Sequence, residues 1–166
     1  LLKLIKRGYN FVLTHGNGPQ VGNIILANYA ANKMYGLPDM PLDISVAYSQ
    51  GFIGYVIEQQ FRNVLNASDI ERDIITIITQ VIVNKDDPAF SNPTKPVGPF
   101  YDKEEADKMA KETKSVFAED PRGRGFRKVV ASPKPLVINN MKTIRRIANE
   151  GHIVIAVGGG GIPVFT

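Results

Sequence analysis

The sequence predicts an α/β protein built on a mostly parallel sheet, and three stretches carry that prediction. Two short apolar runs, residues 9–13 and 152–157, each lead into a glycine-rich loop. Residues 73–83 form an almost unbroken β-branched run, which is typical of a strand buried on both faces of a parallel sheet. Helical patterns separate these runs, so strands and helices alternate along the chain.

The composition excludes some kinds of site and leaves others open. The 166 residues include no cysteine, which excludes disulfides and thiolate metal sites, and the two histidines, His15 and His152, lie far apart. We therefore predict no metal-binding residues. No run reaches the roughly 18 apolar residues of a membrane-spanning helix. The net charge of +4 suits an anionic small molecule as well as it suits a nucleic acid.

The first glycine loop spans residues 14–22 and reads Thr-His-Gly-Asn-Gly-Pro-Gln-Val-Gly. Gly16 and Gly18 permit a close approach of the backbone to a ligand, and Pro19 is placed to begin a helix that we predict to end at Tyr35. Such a helix start binds anions, although a tight turn without a ligand explains the same glycines. The spacing is one residue longer than the dinucleotide fingerprint, which argues against a dinucleotide-binding oxidoreductase.

Two other helices are predicted in this part of the chain. Residues 1–7 resemble the end of a helix that stops at Gly8, and Leu42–Asn66 forms a long helical pattern. The breadth of its apolar surface predicts burial on more than one side, and a core helix is favoured over a contact with a partner subunit. The apolar positions are Ile44, Val46, Ala47, Tyr48, Gly51, Ile53, Tyr55, Ile57 and Phe61.

Residues 84–135 read as a polar, proline-punctuated insertion that projects from the main sheet. The prolines at 93, 96 and 99 exclude a helix or a central strand and predict a stiff extended loop over residues 92–100. Asp102 and Glu105 have the spacing of a capping box, which predicts an exposed helix ending at about Thr113. A short strand is predicted over residues 128–131.

The second glycine loop follows the strand at residues 152–157. A helix precedes that strand, capped by Asn139 or Asn140 and closed by Gly151, with Met141 and Ile144 facing inward. Ligands of open α/β sheets bind at the carboxyl ends of the strands, so we expect the two loops to face one crevice. The four consecutive glycines of residues 158–161 would expose a row of N–H groups suited to a phosphate.

The candidate chemistry is phosphoryl transfer. Lys95 is either a phosphate clamp or a solvated lysine, and the residues alone favour the latter. The basic residues at 122–128 would bind an anion or RNA, or form a solvated turn. His15 is interpreted as a neutral residue that orients its neighbours by hydrogen bonds. Backbone donors and a lysine without an evident nucleophile favour phosphoryl transfer over hydrolysis.

Several motifs occur in the order found in carbamate kinases, members of the amino acid kinase family, which the chain resembles over essentially its whole length. These motifs are His15-Gly-Asn-Gly-Pro-Gln-Val-Gly22, Asn92-Pro-Thr-Lys-Pro-Val-Gly-Pro-Phe100, Gly123-Arg-Gly-Phe-Arg-Lys-Val-Val130, Ser132-Pro-Lys-Pro135 and Gly158-Gly-Gly-Gly-Ile-Pro163.

The resemblance implies an open αβα sandwich with a mostly parallel sheet and a protruding subdomain at about residues 84–135. It implies reversible phosphoryl transfer between ATP and carbamate, giving carbamoyl phosphate and ADP with Mg²⁺. It further implies a role in arginine breakdown, a cytoplasmic location and a homodimer, which we assign to the helix at residues 42–66. No nucleic-acid or membrane partner is expected.

The same resemblance assigns the site residues. Lys95 matches the lysine that reaches the transferred phosphoryl group from the protruding subdomain and is the expected catalytic residue. The residues expected to bind substrate or phosphate are His15, Gly16, Asn17, Gly18, Gly158, Gly159, Gly160, Gly161 and Arg127.

Two departures from the family pattern follow. The family's first strand and its C-terminal nucleotide-binding half have no counterpart here, so residues 1–166 are expected to be a partial N-terminal domain that is inactive alone. The alternative is a non-catalytic truncated subunit or dimerisation piece of the same fold. Residues 119–126 are one residue longer than the family pattern and carry Phe126 in place of tryptophan.

Overall fold

The computed structural model describes residues 1–165, which form five α-helices and nine strands. The helices are α1 (Leu2–Lys6), α2 (Gly18–Tyr35), α3 (Leu42–Asn66), α4 (Lys103–Thr113) and α5 (Met141–Asn149). The strands are β1 (Val12–Leu13), β2 (Ile74–Ile77), β3 (Gln80–Val83), β4 (Lys95–Tyr101), β5 (Val116–Glu119), β6 (Phe126–Val130), β7 (Pro135–Ile138), β8 (Ile153–Ala156) and β9 (Ile162–Val164). Within these residues, no helix is both long enough and apolar enough to cross a membrane.

The strands form three small sheets. The first has the order β1-β8-β2 and is entirely parallel. In the second, β3 pairs with β7 in antiparallel and with β9 in parallel orientation. The third, β4-β6-β5, is antiparallel and lies within the segment predicted as an insertion. The prediction of an α/β fold with a parallel sheet is therefore confirmed.

Apolar side chains cover both faces of the parallel sheet. Because side chains alternate along a strand, Ile153 and Ile155 of β8 lie on one face, whereas Val154 and Ala156 lie on the other. The first pair packs with Ile5 of α1, Leu65 of α3 and Ile74 of β2. The second pair packs with Ile144 and Ala148 of α5. Helices thus cover the sheet from both sides, as in an αβα arrangement.

The helix boundaries agree closely with the sequence pattern. The span of α3 is as predicted, Gly8 follows α1 with a φ of 79°, and Gly36 ends α2 in the left-handed region. Asn140 precedes α5, but its side chain makes no capping hydrogen bond. Met141, the first residue of α5, was predicted to face inward and is instead exposed.

The predicted strand over residues 73–83 is two strands in different sheets. It breaks after Ile77, so that β2 pairs with β8 and β3 pairs with β9. At the break, the Thr79 N–H donates to Oε1 of Gln50 at 2.7 Å, and the Thr79 carbonyl accepts from the N–H of Ile162. The sequence of β-branched residues does not reveal this break between two sheets, because every residue in the run suits a strand. The strand predicted over residues 9–13 is likewise reduced to Val12–Leu13.

The part of α3 up to Tyr55 contradicts the predicted burial of its apolar stripe, whereas Ile57 and Phe61 of the same stripe pack on the core as predicted. Tyr48, Phe52 and Tyr55 keep 64%, 55% and 63% of their surface exposed. The buried residues of α3 are Ser45, Ser49, Gln50, Gly54 and Leu65. Small residues face the sheet because the helix passes very close to it, and a Cβ on Gly54 would overlap the side chain of Thr76.

The insertion contains the third sheet together with α4. Residues 92–100 were predicted as an extended loop, and the structure instead places β4 there, at the edge of its sheet. An edge position tolerates the prolines, because one side of the strand needs no ladder hydrogen bonds. Asp102 caps α4 as predicted, with its Oδ1 accepting from the N–H of Glu105 at 2.8 Å.

Two contacts attach the segment at residues 84–135 to α2, one through β4 and one through α4. Gly22 and Gly98 bring helix and strand into backbone contact, because a Cβ on Gly22 would overlap the Gly98 backbone. Further along α2, the Tyr29 hydroxyl donates to Oε2 of Glu112 on α4, and Lys33 Nζ lies 2.9 Å from the same oxygen. The hydrogen bonds from Tyr29 and Lys33 lower the pKa of Glu112. The insertion is thereby held at two points along one helix.

The Gly22 contact generates a stability prediction with an internal control. We expect Gly22→Ala to lower the free energy of unfolding by about 1–3 kcal/mol, because the new methyl group meets backbone that cannot rotate away. Gly51→Ala is the matched change, since the Cβ position at Gly51 is open and alanine favours a helix by about 0.5–1 kcal/mol. Urea denaturation of both variants measures the difference, and equal midpoints would contradict the prediction.

Candidate active site

The two glycine loops meet at the carboxyl edge of the parallel sheet. β1 and β8 are neighbouring parallel strands, so the loops that follow them leave the sheet side by side. The Gly159 N–H donates to the carbonyl of His15 at 2.8 Å, and Thr14 Oγ1 donates to the carbonyl of Val157 at 2.9 Å. The expectation that both loops face one crevice agrees with this arrangement.

The second loop is a tight turn whose amides are mostly used inside the protein. Gly158–Gly160 forms a 3₁₀ turn, and the φ angles of Gly159, Gly160 and Gly161 are 67°, 93° and 88°. The N–H groups of these three glycines donate to the carbonyls of His15, Val157 and Gly158, respectively. The prediction of a row of free N–H groups is therefore wrong, because these three amides donate to backbone carbonyls of the protein itself.

A cavity of about 350 Å³ lies beside this turn. Its wall combines the start of α2, the first turns of α3, β4 and the segment between β6 and β7. The lining residues are Asn17, Gly18, Val21, Leu42, Asp43, Val46, Val81, Lys95, Val97, Val130, Ala131, Ser132, Pro133, Pro135, Gly159, Gly160, Gly161 and Pro163. Six of the ten predicted site residues are among them: Asn17, Gly18, Lys95, Gly159, Gly160 and Gly161.

Lys95 links the insertion to the glycine turn. It begins β4, where pairing with Val130 fixes its backbone, and its Nζ donates to the Gly159 carbonyl at 3.2 Å. Within residues 1–165, no carboxylate lies within ion-pair distance of this ammonium group. A cation that borders a cavity without a charged partner provides a binding point for an anion.

Asn17 connects the first loop to α3. Its side chain is 5% exposed, and Nδ2 donates to Oγ of Ser49 at 2.8 Å. Ser49 in turn donates to the carbonyl of Val46, so the orientation of the Asn17 side chain is held by α3. A Cβ on Gly159 would overlap the Asn17 side chain, which explains why glycine is required there.

Four predicted site residues do not line the cavity. The His15 ring packs on Gly158 and its Nδ1 lies 3.0 Å from the Gly16 carbonyl, so these three residues form a layer behind the turn. Arg127 donates from Nε and Nη2 to the Gly98 carbonyl, at 3.0 and 2.7 Å. These contacts support the loops and the kink in β4, and contact of the four residues with a ligand stays a prediction.

The basic segment at residues 122–128 does not form a single charged surface. Arg124 is bound to Asp120 and lies over the Phe100 ring, 4.6 Å from its centroid. Arg127 is occupied by the Gly98 carbonyl. The Lys128 side chain points into the interior of the insertion, and burial lowers its pKa. Arg124 and Arg127 are bound to other groups of the protein, and Lys128 is partly buried. The segment therefore lacks the continuous basic surface typical of an RNA-binding protein.

Sequence reasoning missed several residues of this region. Asp43 and Ser132 line the cavity; Ser132 belongs to one of the family motifs, whereas Asp43 had no local signal except Pro41, two residues before it. Gln50 and Thr79 lie directly behind the glycine turn and are almost completely buried. A glutamine within the mostly apolar run from Ile44 to Ile57 was a detectable signal, since buried amides need defined partners.

A metal ion has no ready-made protein cage in this region. Among residues 1–165, no group of three or more histidine, cysteine, aspartate or glutamate side chains lies close enough together to hold one.

The fold and the cavity together define a class of protein. It is an α/β protein with a candidate oxyanion site at the carboxyl edge of its parallel strands, bordered by a lysine and a glycine turn. No family model matches the chain.

Individual relatives are more specific. The chain is 55% identical to the carbamate kinase of Pyrococcus horikoshii over 165 residues, which is 99% of this chain and 52% of that protein. It is 49% identical to carbamate kinase 2 of Staphylococcus epidermidis over 166 residues, 53% of that relative. The chain is homologous to the carbamate kinases over nearly its whole length. It spans about half the length of the curated relatives it matches.

Solved structures agree with this assignment. Carbamate kinase from Giardia lamblia bound to citric acid superposes with a TM-score of 0.89 at 47% identity, covering 99% of this chain and 52% of that one. The same enzyme bound to AMP-PNP gives a TM-score of 0.83 at 46% identity, with the same coverage. The resemblance inferred from the motifs is confirmed, and so is the fold class.

Proposed function

We propose that the chain forms the carbamate- and carbamoyl phosphate-binding part of a carbamate kinase. The observation that supports this most directly is the geometry of Lys95, whose ammonium group borders the cavity at the glycine turn and forms no ion pair with any carboxylate of residues 1–165. The relatives named carbamate kinase, and the AMP-PNP complex of one of them, supply the reaction class. A cavity of about 350 Å³ also suits a small phosphorylated molecule.

The proposed reaction needs little covalent chemistry from the protein. In the direction of ATP synthesis, a β-phosphate oxygen of ADP forms a bond to the phosphorus of carbamoyl phosphate. The bond between that phosphorus and the bridging oxygen breaks, and its electron pair leaves with carbamate. No proton transfer is required in this step, so positioning and charge stabilisation are the main contributions of the enzyme.

Lys95 is the proposed catalytic residue. A mobile ammonium group at the cavity wall can follow the charge on the transferred phosphoryl oxygens as one bond forms and the other breaks. Asn17, Gly18 and the glycine turn would confine the carbamoyl end. We assign His15, Gly16, Gly158 and Arg127 to the same site as the residues that hold these loops in place.

The nucleotide is proposed to bind largely outside residues 1–166. The relatives are about twice as long as this chain, and the cavity described here is suited to the smaller substrate. Mg²⁺ would neutralise charge on the phosphate oxygens, with those oxygens and water as its ligands rather than a cluster of acidic side chains. A cytoplasmic location and a role in arginine breakdown complete the proposal, and both rest on the resemblance alone.

An assay of ATP formation tests the proposal. We expect the purified full-length protein to form ATP from carbamoyl phosphate and ADP in the presence of Mg²⁺, as measured with a luciferase readout. Isolated residues 1–166 should give no ATP above background, because the nucleotide would lack most of its contacts. A full-length protein without this activity would contradict the proposed function, whereas ATP formation by the isolated residues would place the nucleotide site within them.

The role of Lys95 is tested by removing its charge. We expect Lys95→Ala in the full-length protein to lower kcat by about 10²–10³-fold, the usual effect of losing one donor to a transition-state charge. Lys142→Ala is the matched control, because Lys142 is an exposed lysine on α5 outside the cavity wall. If both variants kept the wild-type kcat, Lys95 would not be catalytic.

A homodimer through α3 is also proposed. Ile44, Tyr48, Phe52 and Tyr55 recur at helical spacing and are all exposed, which gives one helix a continuous apolar face. Exposed apolar surfaces of this kind mark protein interfaces more often than they mark free surface. A second copy of the chain fits the resemblance and explains why the aromatic side chains of α3 point away from its own sheet.

Light scattering on the full-length protein checks this interface. We expect the wild-type protein to have twice its monomer mass, and the double variant Tyr48→Glu with Phe52→Glu to shift to the monomer, because two buried carboxylates would face each other across the contact. Met141→Glu changes an exposed apolar residue on α5 and should leave the mass unchanged. A wild-type monomer, or a variant that stays dimeric, would refute the proposed interface.

A further inference from the structure

Gln50 is a buried polar side chain directly behind the glycine turn. It lies on the face of α3 that contacts the sheet and is 2% exposed. Its neighbour across the interface is Thr79, which is 1% exposed and marks the break between β2 and β3. A buried amide contributes favourably only when its donors and its acceptor are satisfied, so its partners indicate what it holds.

The two ends of the Gln50 amide bind different parts of the chain. Oε1 accepts from the N–H of Thr79 at 2.7 Å, which fixes the point where the chain leaves the first sheet. Nε2 donates to the carbonyl of Gly158 at 2.8 Å and lies 3.3 Å from the carbonyl of Thr79. The acceptor end therefore holds the strand break, and the donor end holds the start of the glycine turn.

A short chain of contacts leads from Gln50 to the cavity. The Gly158 carbonyl also accepts from the N–H of Gly161, so this one oxygen closes the turn. The next residue, Gly159, presents its carbonyl to Lys95 Nζ. Any displacement of the Gly158 peptide would move the Gly159 carbonyl. The ammonium group of Lys95, which donates to that carbonyl, would then move as well.

We infer that Gln50 is a positioning residue, which sets the glycine turn and thereby Lys95 through the hydrogen bond from Nε2 to the Gly158 carbonyl. This inference rests on the proposed phosphoryl-transfer function for its catalytic consequence. Gln50 is not among the residues that line the cavity, so it would act through the Gly158 peptide and not by contact with the substrate. A displacement of about 1 Å at a reacting group is enough to cost up to roughly 100-fold in rate, so a tether one peptide away has a measurable effect.

The test uses a side chain that can donate to Gly158 in only one protonation state. In Gln50→Glu, the introduced carboxylate still accepts from Thr79, but when ionised it faces the Gly158 carbonyl and repels it. When protonated, its O–H donates to that carbonyl and restores the native pattern. Burial raises the pKa of such a carboxyl group, which brings the change toward the pH range of an assay.

We expect Gln50→Glu to lower the kcat of the full-length protein by roughly 10- to 100-fold at high pH, with a smaller change in KM. The ratio of variant to wild-type kcat should rise as the pH falls and the introduced carboxyl group takes up a proton. Gln50→Met has a similar shape but no donor, so its ratio should be low and independent of pH. Thermal unfolding at each pH shows whether the variants are folded during the assay.

A double-variant cycle tests the route through Lys95. If Gln50 acts by placing the lysine, Gln50→Glu should have little further effect on kcat in the Lys95→Ala background. Equal effects in both backgrounds would overturn the inference. So would a Gln50→Glu ratio with the same pH dependence as that of Gln50→Met, or a loss of thermal stability with wild-type kcat.

Hydrogen exchange separates failure of this inference from failure of the proposed function. The protection of the Gly159 and Gly161 amides, measured by NMR, should fall in Gln50→Met and should recover with protonation in Gln50→Glu. This readout needs no substrate. A wild-type protein without ATP formation would refute the proposed function. Unchanged protection in both variants would refute the positioning role of Gln50.

Discussion

The fold depends on the buried contact between Gln50, Thr79 and Gly158. At this point the chain leaves the parallel sheet after β2, the helix α3 passes behind it, and the loop after β8 begins its turn. A break between two strands would leave backbone groups without partners, and burial would make each of them costly. The glutamine amide supplies both a donor and an acceptor there. One side chain therefore permits the change of sheet and places the glycine turn.

Close packing by small residues decides where the insertion lies. Gly22 and Gly98 allow α2 and β4 to touch through their backbones, and Arg127 satisfies the carbonyl of Gly98 where β4 bends. Lys95 begins the same strand, so the contact that fixes β4 also fixes the lysine over the cavity. The same principle operates on α3, where Gly54 approaches Thr76 and the larger side chains point outward.

Much of the architecture was predictable from local patterns. Helix spans such as Leu42–Asn66 and the cap at Asp102 depend on neighbouring residues, and the sequence displays these directly. The candidate site was predictable in part, because glycines that follow buried strands mark the carboxyl edge of a sheet. Asp43 and Ser132 were not, since neither the start of α3 nor the segment between β6 and β7 indicates which distant elements it will meet at the cavity.

The sequence by itself determined the α/β class, the order of its elements and the residues that form the glycine loops. Only the tertiary structure decided which face of α3 is buried, where the strand over residues 73–83 divides, and which glycine amides stay free. The reason is that these features depend on contacts between residues far apart in the chain, such as the hydrogen bond from Gln50 to Gly158. Periodicity reports that a helix has an apolar face, but the closeness of the sheet decides which residues of the helix pack against it, as at Gly54 and Thr76.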